Sequence, residues 1–525
     1  LRTPSGYPLT LQNSMRLRQL TIYGNAVQDG TPSPDAPVEV QLCGDRTANL
    51  LSMIDASANN IPIKSYNNGI IEVIGNLNYS VGRTTRLSEY ITLEANQTYA
   101  IALYLVSGQI DSNINVCLSR RENDNFYNGG TFSIDKRVIK ITPNENVEVY
   151  LGINLSPGDY NSTLRIAIYK GSYTADTLPA YEPYGYKVSG RAEGLNLLDV
   201  SDSASLLNGD TVVDGDSITF TTTDYCYGIR FARLTLDPNT EYTLSYQSVN
   251  FDGNYTDSYG LRAVIDNSGV PGGASSYITF TTNETGNVSL AYYVGIPYEG
   301  EAGKILTIKG VALYKGSYTA ETMPPYEPYQ PPQDFAVYLP EQIAKVGDVA
   351  DEVVVDMEKQ TAELKKNVGS VVADGDESWL RGGNQYDTVD YTNRFSYFYD
   401  IHGNHQTPGY FSNRFERKLD DIWNNPNSEA FNINNNQLHL SISNTRLGIT
   451  ADDEAADRTT KFKAWLSSNN VTVYAPLATP VTTDITSLQQ WDAMPQVSGT
   501  VTLTLSAEVE PSGAEAVYYS KERGE

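Results

Sequence analysis

At 525 residues, 40% of them hydrophobic, the chain is long enough for three or four domains with cores of their own. A formal net charge of −26, from 63 acidic against 37 basic side chains spread along the length, argues against a nucleic-acid backbone or an anionic membrane surface as partner, since those need clustered Lys and Arg. No run approaches the ~18 apolar residues of a membrane span, and Cys43, Cys117 and Cys226 are too few and too uneven for a disulfide framework.

In chain order, residues 1–45 read as an N-terminal β segment. The chain opens Leu1-Arg2-Thr3, without Met or a signal-peptide apolar run, which reads as a piece of something longer. Met15 and Leu17 alternate with arginines, and Leu20 and Ile22 alternate with polar residues one position out of phase. That shift predicts a bulge near Arg18-Gln19. A proline-rich turn over 31–37 precedes a strand expected over Val38–Leu42.

Two repeats follow, expected over 46–187 and 188–332. Residues 166–184 read IAIYKGSYTADTLPAYEPY and residues 311–329 read VALYKGSYTAETMPPYEPY, with 14 of 19 positions identical at an offset of 145. A period of that size means a duplicated domain. Asn49-Leu50-Leu51 matches Asn196-Leu197-Leu198, and the segment from Ile91 to Tyr99 matches that from Leu234 to Tyr242. Between these markers the period is two, as at Ile218/Phe220, Ile229/Phe231, Tyr242/Leu244 and Val288/Leu290/Tyr292, with Gly- and Asn-rich turns between. Short strands at this spacing predict an antiparallel β-sandwich, or jelly roll, in each repeat. The duplicated stretch reads as a last strand, a Lys-Gly-Ser-Tyr turn and a stiff proline-rich exit.

Residues 333–525 read as a C-terminal β-rich domain with one short helix. Asp351–Val368 fits either a helix or a hairpin turning near Glu358-Lys359, the hairpin being preferred because Val353 and Val355 alternate. Residues 394–400 alternate as a strand. Asp457–Ser468 places Phe462, Trp465 and Leu466 on one helical face, with Asp452, Asp453, Glu454 and Asp457 read as caps and dipole partners. Strands are expected over Val471–Tyr474 and Thr500–Val509.

The site chemistry is sparse. His402 and His405, beside Asp400, are the one cluster with transition-metal donors, yet Gly403-Asn404 between them suits a plain loop. Asp252, Asn254 and Asp257 offer oxygen donors at the spacing of a calcium turn, without the terminal Glu of a full calcium loop. No other cofactor is expected. With 38 Tyr against 13 Phe, stacking on sugars is the natural aromatic chemistry. Tyr242, Tyr246 and Tyr292 share phase with Leu244 and Leu290 and should face the core, whereas Tyr293 is out of phase and is the candidate for carbohydrate contact. No nucleophile elbow, phosphate loop or Ser/His/Asp set occurs, so no catalytic residue is assigned.

The duplicated motif, the Asn-Leu-Leu openings, Ile22-Tyr23-Gly24 with Pro34-Asp35-Ala36-Pro37, Gly347-Asp348-Val349-Ala350-Asp351 leading to Trp379, and Lys463-Ala464-Trp465-Leu466 with Val471 to Pro480 together resemble tail-associated minor structural or receptor-binding proteins of Firmicutes phages and prophages. The segment from Leu234 to Tyr242 is similar to jelly-roll carbohydrate-binding modules. The resemblance implies a non-enzymatic fibre, baseplate or receptor-binding component of a virion tail. It would contact other tail proteins and a host cell-surface glycan, and assemble as a homo-oligomer, commonly a trimer. Histidines on trimer axes of such needle-like proteins hold metal, which gives His402 and His405 a context. A purely structural spacer, a polysaccharide-degrading tail enzyme and a secreted bacterial adhesin are the alternatives.

Overall fold

In the computed structural model the described residues are 2–4, 8–10, 19–57, 62–78, 86–109, 114–132, 137–201, 203–205, 209–222, 226–255, 259–266, 268–270, 275–298, 302–377, 379, 410–417, 429–434, 437–450, 452–496, 500–506 and 515–519. The chain is mainly β, with antiparallel sheets and two short α-helices among the described residues.

Each repeat forms a two-sheet sandwich. In the first, a front sheet orders Ile91–Leu93, Val147–Leu155, Ile114–Arg120 and Phe126–Phe132. Its back sheet orders Val138–Ile141, Tyr99–Gln109, Gly158–Lys170, Ile70–Leu77, Ile63–Ser65 and Ala56–Ser57. The second repeats this plan. Its front sheet orders Ala204–Ser205, Cys226–Thr235, Asn287–Tyr298, Gly260–Ile265 and Ser268–Val270. Its back sheet has the same sequence of neighbours but is split in two, Tyr277–Thr281/Glu241–Ser245/Ala312–Lys315 and Ser248–Phe251/Ile305–Lys309/Ser217–Thr222/Gly209–Asp214. In the first repeat the long back strands only bulge, between Leu105 and Ser107. In the second, Gly310 turns with φ +62 and the strands break there. Period-two residues fill both cores, among them Ile71, Val149, Leu164 and Ile168 in one and Ile218, Phe220, Leu244, Leu290 and Tyr292 in the other.

The segments outside the repeats do not divide at the expected boundaries. Gln19–Tyr23 lies between Glu352–Asp356 and Glu515–Tyr519 in one sheet, which continues through Thr361–Ala373, Val471–Asp484 and Phe411–Ser412. The opposing sheet orders Pro8–Thr10, Thr500–Ser506, Tyr186–Gly194 and Gln333–Leu339. Leu20, Ile22, Val188, Val337, Val353, Leu364 and Leu503 share one core between them. Residues 1–45 and 333–525 are therefore not separate units, and the residues from 188 that were expected to open the second repeat belong to a strand of the central sandwich, Tyr186–Gly194. Strand pairing is indifferent to sequence distance, so a local reading cannot assign partners that are hundreds of residues apart.

This central sandwich carries the repeats as insertions. The first leaves at Asp45–Arg46 and returns at Tyr186–Lys187, which pair directly. The second leaves after Gly194 and returns at Gln333, which pairs Ala192. A further lobe is built on the outer ends of Thr361–Ala373 and Val471–Asp484. It contains the hairpin Ala430–Asn434/Gln437–Ser441 and the helices Asn444–Leu447 and Ala455–Ser468. Phe462 and Leu466 of the longer helix are fully buried, Phe462 edge-on to Trp379 with ring centroids 5.1 Å apart.

The preferred hairpin is present, as Glu352–Asp356 and Thr361–Ala373. The expected single helix spans Ala455–Ser468, and the one-turn helix Asn444–Leu447, capped by the Ser443 hydroxyl, was not anticipated. Of the acids read as caps and dipole partners, Asp457 lies in the first turn as expected, Glu454 occupies the cap position without a side-chain bond, and Asp453 instead accepts from the Thr450 amide and pairs with Lys461 at 2.7 Å. Of Val38–Leu42, only Gln41–Leu42 joins a ladder. The strand expected over 394–400 and the bulge near Arg18 lie outside the described residues or at their edge.

Candidate functional site

The duplicated residues occupy equivalent places. Asn49 and Asn196, both buried, open the two repeats. Asn49 donates to the Glu182 carbonyl at 3.0 Å and accepts from the Leu51 and Ile168 amides. Asn196 donates to the Glu327 carbonyl at 3.1 Å and accepts from the Leu198 and Leu313 amides. One amide thus ties the start of each module to its last strand and its Tyr-Glu-Pro-Tyr exit. Lys170 pairs with Glu94 at 2.8 Å and Lys315 with Asp237 at 2.6 Å, while the Tyr99 and Tyr242 hydroxyls accept from the Glu94 and Asp237 amides.

The exits also cover the back sheets. In the first repeat Tyr173, Leu178 and Tyr181 pack on Ala102, Ala167 and Tyr169, and the Tyr104 hydroxyl donates to the Pro179 carbonyl. In the second, Thr243 Oγ1 donates to the Gly316 carbonyl and accepts from the Tyr318 amide. Burial pushes the Tyr314 phenol up to about 12, so it stays protonated. The exits pack on the back sheets, so the front sheets are taken as the candidate binding faces.

On the second repeat's front sheet, Ile229, Phe231, Leu261, Ala263, Leu290 and Tyr292 point inward. Alternation places Arg230, Arg262, Ala291 and Tyr293 outward. Tyr293 is half-buried, and the Arg262 guanidinium lies 5.6 Å from its ring centroid. Its cross-strand neighbours are Gly228 and Gly260. Both have positive φ, and a Cβ at Gly228 would stand 2.0 Å from the Tyr292 carbonyl oxygen. The position is thus confined to glycine.

A second aromatic group lies at the sandwich rim. Tyr255 stacks on Tyr259 with centroids 4.5 Å apart, touches Phe251 at 5.2 Å, and is 37% exposed. Tyr246 meets the buried Tyr292 edge-on at 5.8 Å. Burial pushes the phenols of Tyr246, Tyr255 and Tyr292 upward, so they stay protonated and able to donate. The stacked pair escaped the sequence reading because loop residues four apart carry no strand or helix period.

Asp252 Oδ1 accepts the Ile305 amide at 2.6 Å, tying its loop to the back sheet. Asn254 is exposed, and Asp257 lies outside the described residues, as do His402 and His405. His439 is buried on a strand of the C-terminal lobe. Among the described residues no group of three or more His, Cys, Asp or Glu is placed to hold a metal ion, and no helix is long and apolar enough to cross a membrane.

No protein-family model matches the chain, and no curated protein matches it. Among solved structures it is similar to the N-terminal CBM22-1-CBM22-2 tandem domain of Xyn10C from Paenibacillus barcinonensis, at 9% identity and a TM-score of 0.20 over 52% of this chain and 98% of that one. It is also similar to the PBSX exported protein XepA, at 10% identity and a TM-score of 0.11 over 51% of this chain and 95% of that one. Likenesses at this level assign neither ligand nor activity, and the functional argument rests on the residues.

Proposed function

We propose that the chain is a bacteriophage tail structural protein, a fibre, baseplate or receptor-binding component, that presents carbohydrate-binding-like modules to the host surface without catalysing a reaction. The observation that carries this reading is the pair of sandwiches inserted in one central sandwich, each leaving and returning at paired strands. That arrangement supports display: the modules are fixed to a common base, and their front faces are left for a ligand. Weak sites gain avidity when copies are linked, and a homo-oligomer, such as a trimer on the tail, multiplies them again. The partners in this reading are other tail proteins and a host cell-surface glycan. It needs no nucleic acid, membrane insertion, bound metal or cofactor.

The test is attachment of the labelled full chain to host cells, compared with chains lacking residues 47–184 or 195–329. Attachment that weakens with either deletion and disappears with both supports adhesion by the modules. Undiminished attachment with both removed sinks it. Such a result would favour a second reading, a structural spacer, for which the specific support is that the described duplicated contacts serve the module's closure. New reducing ends on wall or capsule glycan would instead establish a degrading enzyme.

A further inference from the structure

We infer that the rim of the second repeat carries a stacking platform for an uncharged, gluco-configured pyranose ring, built on Tyr255; this rests on the adhesion reading and names its site and ligand class. The connection from the back sheet to the front sheet spans 110–113 in the first repeat, where it reads Ile-Asp-Ser-Asn. In the second it spans 252–259 and brings in Tyr255 and Tyr259. Two modules on one framework thus differ in a loop, where change is best tolerated and function concentrates.

Tyr255 is held from three directions. Its ring stacks on Tyr259 with centroids 4.5 Å apart and planes 28° from parallel, and Phe251 meets it at 5.2 Å. Its hydroxyl hydrogen-bonds that of Tyr292, a front-sheet residue only 1% exposed. The root of the loop is fixed as well: the Asp252 amide donates to the Ile305 carbonyl at 3.2 Å, and Asp252 Oδ1 accepts the Ile305 amide at 2.6 Å. Tyr255 is nevertheless 37% exposed. With one ring face on Tyr259, an edge against Phe251 and the hydroxyl on Tyr292, that exposure falls on the other ring face. A ligand that stacks there has no side chain to immobilise, which lowers the entropy cost of binding.

The surroundings set the charge of the ligand. Residues 247–260 hold two Asp and no Lys or Arg, in a chain whose net charge is −26. An anionic sugar would meet like charge at this loop, and an uncharged one would not. A pyranose whose hydroxyls are all equatorial turns its C–H groups to two flat faces, which suit the negative face of an aromatic ring. Its hydroxyls then project past the ring edge, on a loop where Asp252 and Asn254 are exposed.

The experiment is saturation-transfer NMR and titration of the full chain with cellohexaose, with hexagalacturonate as the charged counterpart. The expected result is binding of cellohexaose only, with transfer strongest to the C–H protons of one ring face. Tyr255→Ala should weaken binding about tenfold or more, and Tyr255→Phe, which keeps the ring and loses the tether, by about threefold at most. Phe126→Ala, at a more exposed aromatic of the first repeat, should bind as the native chain does. Unchanged melting temperature shows that the variants are folded. Absence of cellohexaose binding, equal binding of hexagalacturonate, no effect of Tyr255→Ala, or equal damage from Tyr255→Phe and Tyr255→Ala overturns the site. Host-cell attachment of Tyr255→Ala should fall to that of the chain lacking 195–329; full retention overturns the site while leaving adhesion standing. If cellohexaose binds through Tyr255 but the native chain attaches to no host cell, it is the adhesion reading alone that fails.

Discussion

Asn49 and Asn196 each satisfy two buried amides that no other side chain reaches in these contacts. Leaving a buried donor unpaired costs about 1–3 kcal/mol. Asn196→Ala should therefore lower the stability of the second module by about 2–4 kcal/mol, and Asn49→Ala that of the first by a similar amount. Differential scanning calorimetry of each variant would show one transition moving and the other not; equal movement of all transitions would refute the assignment to separate modules. Asp351 is another residue of this kind: fully buried, it accepts from the amides of Ala344, Asn367 and Val368 and pairs with Lys366 at 2.7 Å. Cys43 lies in the central core, where burial, with a smaller contribution from Asp45, pushes its thiol up to about 12. In a chain with Cys117→Ser and Cys226→Ser, a thiol reagent at pH 8 should leave Cys43 untouched until the central sandwich opens, because the thiolate is the reactive form. Prompt labelling under native conditions would contradict that core.

At the level of elements, the loop over 31–37 is held against the C-terminal lobe. Arg446 bridges Asp35 and Glu429, and Arg414 donates to the Pro34 carbonyl at 2.8 Å. Burial pushes the Glu429 carboxyl up, but hydrogen bonds from Arg446 and Ser443 outweigh it and hold the group below the ordinary carboxylate range. The Arg446 hydrogen bond lowers Asp35 in the same direction. A carboxylate depressed in the folded state adds stability above its ordinary range, and that stability is lost as pH falls through the depressed value. Proteolytic resistance of the lobe should therefore fall on acidification below the ordinary carboxylate range, and Arg446→Ala should flatten that dependence; an equally steep profile in the variant would remove the clamp from the account. Sequence period made many of these elements legible: alternating valines marked the hairpin at Glu352–Asp356, and Phe462 with Leu466 marked the long helix. The one-turn helix Asn444–Leu447 was hidden because four residues are too short to show a period.

At the level of the molecule, insertion makes a removable module. Arg46 pairs with Tyr186, and the Thr47 amide donates to the Gly185 carbonyl, so a short turn can join those strands. A chain with residues 48–184 replaced by Asn-Gly, a strong two-residue hairpin turn, should keep the central sandwich and second module folded. Its loss of one calorimetric transition, with the others retained, is the expected result; general unfolding would show that the first module is needed as a base. Residues 333–525 alone should not form the central sandwich, because they lack Gln19–Tyr23 and Tyr186–Gly194, which sit inside its two sheets.

Local sequence was enough to determine that this protein is built of antiparallel β-sandwiches, that one of them is duplicated, and that Tyr293 faces outward, since side-chain alternation and self-similarity are both properties of contiguous residues. It also located the exits, because proline restricts its own neighbourhood. Only the tertiary structure decided that the N-terminal segment, the stretch between repeats and the C-terminal strands share one core, since pairing across hundreds of residues leaves no local period. The same holds for the tyrosine platform. Tyr255 and Tyr292 are 37 positions apart in sequence, and their hydroxyls meet only when the loop folds back on the front sheet.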